Sequence, residues 1–126
     1  MPLRSAGGAV VPICAPPLYH RMLCIIRARH ADHDLDVAEL AACLSISIRY
    51  VHKVMAQAGT SFATVLYEAR LDHARRLLED SACATRPLAD IAWDAGFRDA
   101  GHFSRRFKGR FGVTPGAWRR MHVQAA

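Results

Sequence analysis

Basic side chains are concentrated in the last third of this 126-residue chain. Between Arg98 and Arg120 the sequence has seven arginine and lysine residues and one carboxylate, that of Asp99. Guanidinium and ammonium groups at this density bind polyanions, above all the phosphate backbone of a nucleic acid. The net charge of +6 and the sequence pI near 9.7 favour the same chemistry. An acidic membrane surface is the less common alternative partner.

The other reactive residue types are not arranged for catalysis. The sequence has no nucleophile with an aligned base, no phosphate-binding glycine loop and no paired carboxylates in an apolar setting, so we expect no catalytic residue and no enzyme activity. Four cysteines form no C-x-x-C pair, and seven scattered histidines lack further ligands. The sequence therefore predicts neither a metal nor a cofactor. Cys24 and Cys43 lie among apolar residues at helical spacing and are expected to be reduced core thiols.

The composition favours an all-α fold. Apolar residues make up 52% of the chain, and alternating β-branched patterns are scarce. Residues 1–17 are interrupted by glycine and proline and are predicted to form a flexible N-terminal tail or linker. The sequence has no signal peptide and no apolar run of about 18 residues, so we expect a cytoplasmic protein that does not contact a membrane.

Seven helices are predicted from apolar periodicity and capping residues. The predicted caps are Asp36 (in a capping box with Glu39), Ser47, Ser61, Asp99 and Thr114. Pro87 is expected at a first helical position, and Gly59, Gly96 and Gly112 at helix ends. The predicted helices cover about 18–30, 37–44, 48–58, 62–79, 87–95, 100–111 and 115–122.

The helices contain an internal repeat. When Leu40-Ala41 is aligned with Ile91-Ala92, two helix-turn-helix units match at about 37–59 and 87–111, with a one-residue slip in the turn. A long helix at about 61–80 joins them. Such a chain presents two recognition helices to one face of a duplex, in successive major grooves about 34 Å apart.

Two long segments carry a family resemblance. IAWDAGF followed by HFSRRFKGRFGVTPGAWR resembles the C-terminal signature of the AraC/XylS family of bacterial transcription regulators, and LAACLSISIRYVHKVMAQAGTSF is similar to the family's first unit. The resemblance implies a bipartite DNA-binding domain over 18–122, in which the third and sixth helices contact bases and the fourth is a spacer. It also implies transcription regulation, most often activation, with double-stranded DNA and RNA polymerase as partners at the bacterial nucleoid. Most relatives carry a separate effector-binding or dimerisation domain.

The family pattern assigns candidate DNA contacts in both units. In the third helix it places Arg49, His52 and Lys53 at bases, although His52 has the alternatives of a phosphate contact or a solvated histidine. In the sixth helix it places Ala100, Gly101, Ser104 and Arg105 at bases. The candidate phosphate contacts are Ser47, Tyr50, Arg98, Arg106 and Lys108.

Gly101 departs from the family pattern, because relatives commonly have a small polar residue there. Neither Ala100 nor Gly101 has a side chain that forms hydrogen bonds to bases. We therefore expect the third helix to carry more of the sequence discrimination.

Other interpretations stay open at this point. One is a module of a DNA-alkylation-responsive repair and regulatory protein, which would need an activated thiolate. The other is a basic helical domain that contacts RNA polymerase without binding DNA. Arg75 and Arg76 are expected either in solvent or at phosphates. Trp118, Phe97, Phe103 and Phe107 are expected in the core rather than stacked on bases.

Overall fold

The computed structural model describes residues 17–123, which fold into seven α-helices and one short 3-10 helix without any strand. The predicted tail at 1–17 lies outside the described residues except for Pro17, which begins the first helix. The all-α prediction with seven helices is confirmed. The helices are α1 Pro17–Arg29, α2 Val37–Leu44, α3 Ile48–Gln57, α4 Phe62–Glu79, α5 Leu88–Asp94, α6 Ala100–Phe111 and α7 Pro115–Val123, and the 3-10 helix is Ser81–Cys83.

Most helices begin at the predicted capping side chains. Asp36 accepts a hydrogen bond from the backbone N–H of Glu39 at 2.8 Å, and Ser47 accepts from that of Tyr50 at 3.0 Å. The corresponding bonds to Ser61, Asp99 and Thr114 are 3.1, 3.0 and 3.2 Å long. These bonds satisfy N–H groups that the first turn of a helix leaves without a partner.

Two details of the predicted caps are wrong. The carboxylate of Glu39 accepts from Arg29 at 3.3 Å, so the described contacts contain only one of the two bonds of the expected capping box. Pro87 is the N-cap of α5 rather than its first helical residue, with an extended ψ of 142°. The first difference is a side-chain contact and the second is a backbone angle, and a local sequence pattern leaves both open.

The two helix-turn-helix turns have the same backbone hydrogen bonds. Ile46 N–H donates to the carbonyl of Ala41 at 3.0 Å, and Phe97 N–H donates to that of Ala92 at 2.9 Å. The left-handed residue is Ser45 in the first turn, with φ 56°, and Gly96 in the second, with φ 107°. The predicted alignment is thus confirmed, and the one-residue slip is Arg98, which lies between Phe97 and the cap Asp99.

The apolar side chains form two clusters that share α4. The first cluster includes Phe62 and Leu66 from the start of α4, packed against α1, α2 and α3. The second includes Leu71, Ala74 and Leu78 from the rest of α4, packed against α5, α6 and α7. Each helix-turn-helix unit therefore has its own core, and α4 belongs to both.

The four aromatic residues that were expected in the core lie in the second cluster or against it. Phe97, Phe103 and Phe107 are at most 2% exposed, and Trp118 packs against them while partly buried. The indole Nε1–H of Trp118 donates to Glu79 at 2.9 Å, which ties α7 to α4. These rings are therefore part of the core.

The prediction for two cysteines is wrong. Cys24 and Cys43 are exposed, whereas Cys83 in the 3-10 helix is buried. In α1 the buried side chains are Met22 and Ile26, and Cys24 lies two residues from each, about 200° around the helix. Apolar neighbours in sequence are thus on the opposite face of the same helix.

Candidate nucleic-acid interface

The outward face of α3 carries the predicted base contacts of the first unit. Val51, Val54 and Met55 are at most 1% exposed and hold the opposite face against the core. Since successive residues turn by about 100°, Arg49 and Lys53 point away from this buried face. Both are exposed, as are His52, the capping residue Ser47, and Tyr50, which is 45% exposed.

The outward face of α6 is less well supplied with side chains. Phe103 and Phe107 are fully buried, and Gly101, Arg105 and Lys108 lie on the opposite, exposed face. Ser104 is half-buried on its flank, and Ala100 is exposed at the first helical position.

The two faces can be compared position by position from their caps, Ser47 and Asp99. The shared positions hold Arg49 and Gly101, His52 and Ser104, Lys53 and Arg105, and Ala56 and Lys108. A cation is thus common to both helices in the middle of the face. The two faces differ towards their ends. The second cation lies in the first turn of α3 and in the third turn of α6.

Gly101 leaves room for the guanidinium of Arg105. A Cβ built on Gly101 would lie 3.3 Å from Nη1 of Arg105, closer than ordinary van der Waals contact. The arginine side chain therefore bends back over the first turn of α6, the direction that long side chains favour in helices. A side chain at position 101 would therefore require the Arg105 guanidinium to shift by a few tenths of an ångström.

Two predicted phosphate contacts have partners within the protein. Arg98 forms an ion pair with Asp34 in the loop between α1 and α2. The guanidinium of Arg106 lies 4.0 Å from the ring centroid of Tyr67 on α4, and its Nε–H donates to Nε2 of His102 at 3.0 Å. Burial, followed by the charges of Arg106 and Arg105, lowers the pKa of His102, which fits a neutral ring that accepts this bond. Lys108 is exposed, and residues 17–123 include no ion-pair partner for it.

The arginines of α4 differ from one another. Arg75 pairs with Glu79 at 3.1 Å within the helix, whereas Arg76 is exposed. Arg70, which the sequence analysis did not single out, is 5% exposed and donates to the backbone carbonyls of His30 and Asp32. Its spacing of four residues from both Leu66 and Ala74 places it within an apolar stripe, and this was the available signal that it needs a buried partner.

The loop before α2 also contacts the second unit through residues that sequence analysis missed. Nε2 of His33 lies 2.7 Å from the carbonyl oxygen of Trp93, and the two rings stack with centroids 3.7 Å apart. These residues are far apart in sequence, so no local pattern pairs them. His33, Trp93 and Arg70 together join the two units next to the turn before α6.

Other site types receive no support from the described part of the chain. Within residues 17–123, no three His, Cys, Asp or Glu side chains lie close enough together to hold a metal ion. None of the helices there is long and apolar enough to cross a membrane.

Comparison with known proteins identifies the domain type. Residues 40–121 match the family model described as a helix-turn-helix domain. The transcriptional activator NphR of a Rhodococcus species is 39% identical over 100 residues, which are 79% of this chain and 29% of that protein. The transcriptional regulator GlxA of Rhizobium meliloti is 37% identical over 90 residues, covering 71% of this chain and 27% of that protein. The chain thus spans less than a third of either relative.

Solved structures of similar domains have the same fold. The C-terminal domain of AraT, a response regulator from Geobacillus stearothermophilus, is 28% identical with a TM-score of 0.78, covering 87% of this chain and 89% of that one. A probable AraC family transcriptional regulator from Rhodopseudomonas palustris is 26% identical with a TM-score of 0.76, covering 85% and 98%.

Proposed function

The chain belongs to the AraC-type family of helix-turn-helix DNA-binding domains, and from this premise we propose that it regulates transcription by sequence-specific binding to double-stranded DNA. In the proposed complex, α3 and α6 enter successive major grooves of one duplex face. The observation that supports this most directly is the pair of exposed faces with a cation at the same position, Lys53 in α3 and Arg105 in α6. One chain then contacts two half-sites without dimerising.

Within α3, we propose base contacts for three side chains. Arg49 and Lys53 donate to the O6 and N7 atoms of guanine, the acceptors that arginine and lysine favour in the major groove. His52 lies beside them and contacts a base or a phosphate. Ser47 and Tyr50 contact the phosphates that flank the groove, where hydroxyl groups fix the orientation of a helix on DNA.

Within α6, we propose that Arg105 is the main base contact. Ser104 supports it from the flank, and Ala100 offers only its methyl group, which suits a thymine methyl. Gly101 contributes by leaving space for the Arg105 guanidinium. Lys108 contacts phosphate, while Arg98 and Arg106 act mainly through their partners in the protein. The helix with more polar side chains on its face, α3, therefore carries more of the base discrimination.

The biological role is a further part of the proposal. NphR is a transcriptional activator, and we extend activation to this chain, with contact to RNA polymerase at a promoter on the bacterial nucleoid in the cytoplasm. The greater length of the relatives supports joint action with an effector-binding or dimerisation domain. Since these relatives are regulators, we assign no enzyme activity to the chain.

Selection of bound sequences from a random DNA pool tests this function. We expect a bipartite site whose halves are about 10 base pairs apart, centre to centre. A gel shift with excess unrelated DNA then distinguishes specific from general binding. Retention of the pool without enrichment of any sequence would contradict the proposal.

The alternative functions have their own outcomes. A domain that contacts only RNA polymerase would bind the polymerase and fail to shift any duplex. An alkylation-responsive protein would gain the mass of a methyl group when incubated with methylated DNA, and mass spectrometry of the intact chain detects this.

A further inference from the structure

Arg70 is the only charged side chain that is buried among residues 17–123. Its Nε–H donates to the carbonyl of His30 at 2.7 Å, and Nη2 donates to that of Asp32 at 2.9 Å. Burial lowers the pKa of Arg70, because a charge is less stable away from water. A buried charge is unfavourable unless it has hydrogen-bond partners. The two backbone carbonyls therefore define the position of the Arg70 guanidinium closely.

These hydrogen bonds join α4 to the loop between α1 and α2. The carbonyl groups of His30 and Asp32 belong to the loop that leads into α2 and α3. The turn at Gly96, which leads into α6, packs directly on the same loop and on Arg70. A Cβ built on Gly96 would lie 2.5 Å from the carbonyl oxygen of His30 and 2.7 Å from Nε of Arg70.

The contact between the loop before α2 and the second unit continues towards the surface. His33 stacks on Trp93 at the end of α5, and Asp34 pairs with Arg98 in the turn before α6. Arg98 is also the extra residue of the second turn, so the insertion supplies a contact between the units. Both of these pairs connect the loop between α1 and α2 with the segment that precedes α6.

Relative placement of α3 and α6 has a direct meaning on DNA. Moving one half-site by a single base pair translates it by about 3.4 Å and rotates it by about 35° around the duplex axis. A protein that holds two helices rigidly loses one of its contact sets after such a shift. A protein with a loose joint tolerates the shift, but ordering the joint costs free energy on every site.

We propose that Arg70 is a positioning residue that fixes α3 relative to α6 and thereby selects the spacing between the two DNA half-sites. This inference rests on the proposed function, since it requires both helices to bind one duplex. Arg70 itself touches no DNA in this scheme.

The test uses the whole chain and three duplexes derived from the site that the wild-type protein selects. One duplex has the selected spacing, one has a base pair inserted between the halves, and one keeps a single half-site. For Arg70→Met we expect binding to the selected spacing to fall roughly tenfold, while binding to the other two duplexes changes less than about twofold. In this variant, the ratio of the affinity for the selected spacing to the affinity for the shifted spacing therefore approaches one.

Two milder variants protect the test against a folding defect. Arg70→Lys keeps the charge but lacks the forked donors, so the ratio should fall part of the way. Asp34→Asn removes only the ion pair at the exposed edge of the contact and should lower the ratio slightly. A thermal melt of each variant reports the folded state independently.

The outcomes separate this inference from the proposed function. If Arg70→Met weakens all three duplexes by the same factor, or if Arg70→Lys and Asp34→Asn fold normally and leave the ratio unchanged, Arg70 does not select spacing. If the wild-type chain itself shows no preference for a bipartite site, the proposed function fails first.

Discussion

Gly96 and Arg70 adjoin so closely that a side chain at position 96 would occupy the space of the arginine. A Cβ on Gly96 would lie 2.7 Å from Nε of Arg70, and the carbonyl oxygen of His30 would be even closer, at 2.5 Å. The arginine end is flexible in principle, but the backbone carbonyl is not. The second turn thus requires glycine for two reasons, its φ of 107° and its surroundings.

We expect Gly96→Ala to lower the free energy of unfolding by about 3 kcal/mol, since it combines backbone strain with overpacking. Urea denaturation measures this change. Gly59→Ala is the matched control, because Gly59 has a φ of 79° but no atom beyond the adjacent residues within 4 Å of the added Cβ. That variant should lose only about 1 kcal/mol. Equal losses would mean that the close packing around Gly96 does not contribute.

Base preference should depend on Arg49 and Lys53 in α3. Replacing either with alanine removes a donor to guanine, so we expect a loss of about 1–3 kcal/mol in discrimination at one base pair. Competition binding with single-base variants of the selected site gives this value. Lys108→Ala should instead weaken binding to all sequences alike and reduce the salt slope by about one. A similar loss of discrimination in all three variants would contradict the division between base and phosphate contacts.

Arg106 and Lys108 form a pair that separates internal from external roles. Arg106→Ala removes the contact with Tyr67 and the hydrogen bond to His102, so we expect it to lower the free energy of unfolding by about 1 kcal/mol. Lys108→Ala should change it by less than about 0.5 kcal/mol, as is usual for an exposed side chain. Chemical denaturation compares the two. A neutral effect of Arg106→Ala on stability, together with a reduced salt slope, would return this residue to the phosphate contacts.

The capping serines Ser47 and Ser61 should respond alike in stability and differently in DNA binding. Each accepts a hydrogen bond from the third backbone N–H after it, at 3.0 and 3.1 Å. Alanine at either position should therefore cost about 1 kcal/mol. Only Ser47 begins a recognition helix, so only Ser47→Ala should also weaken DNA binding when both proteins are fully folded. Weaker binding by both variants would show that the effect reflects helix stability alone.

Stability should decrease in mildly acidic solution because of His73. Burial, reinforced by His30 and Arg76, lowers the pKa of His73. Its Nδ1 lies 2.9 Å from Nε2 of His30, whose Nδ1 donates to the carbonyl of Arg27. When both rings are neutral, the Nδ1–H of His73 is the donor to Nε2 of His30.

The direction of this change in stability with pH follows from which state, folded or unfolded, binds the proton first. As the pH falls below about 6.5, unfolded chains take up the proton on His73 before folded ones do, so folding becomes less favourable. His73→Asn keeps a donor near His30 without the titration, and it should show a smaller loss between about pH 7.5 and about pH 5.5. The pKa of His102 is lowered as well, so part of the loss should remain. Identical pH profiles for the wild type and His73→Asn would exclude His73 as the source.

Local patterns in the sequence were sufficient for most of the fold. Apolar spacing of three and four residues identified the buried faces of α3 and α6, and the caps at Ser47 and Asp99 fixed their starts. The turn residues Ile46 and Phe97 could be aligned because each lies five residues after the alanine of the matched pairs Leu40-Ala41 and Ile91-Ala92. These features depend on neighbours within one or two helical turns, which a sequence displays directly.

The contacts between the units could not be predicted in the same way. Arg70 and His30 are 40 positions apart, and His33 and Trp93 are 60 apart. Such pairs depend on the angle between two cores, which periodicity does not encode. The error at Cys24 has a simpler cause, since apolar neighbours do not show which face of a helix a residue occupies. The identity of the DNA contacts stays a prediction, because it depends on a duplex.

The division of α4 between two cores determines how the protein unfolds. Phe62 and Leu66 complete the first cluster, while Leu71, Ala74 and Leu78 complete the second. Neither helix-turn-helix unit can keep its core if this helix melts, and losing either core exposes part of α4 to water. The two units are therefore coupled in unfolding, so that a substitution that destabilises one core also lowers the stability of the other.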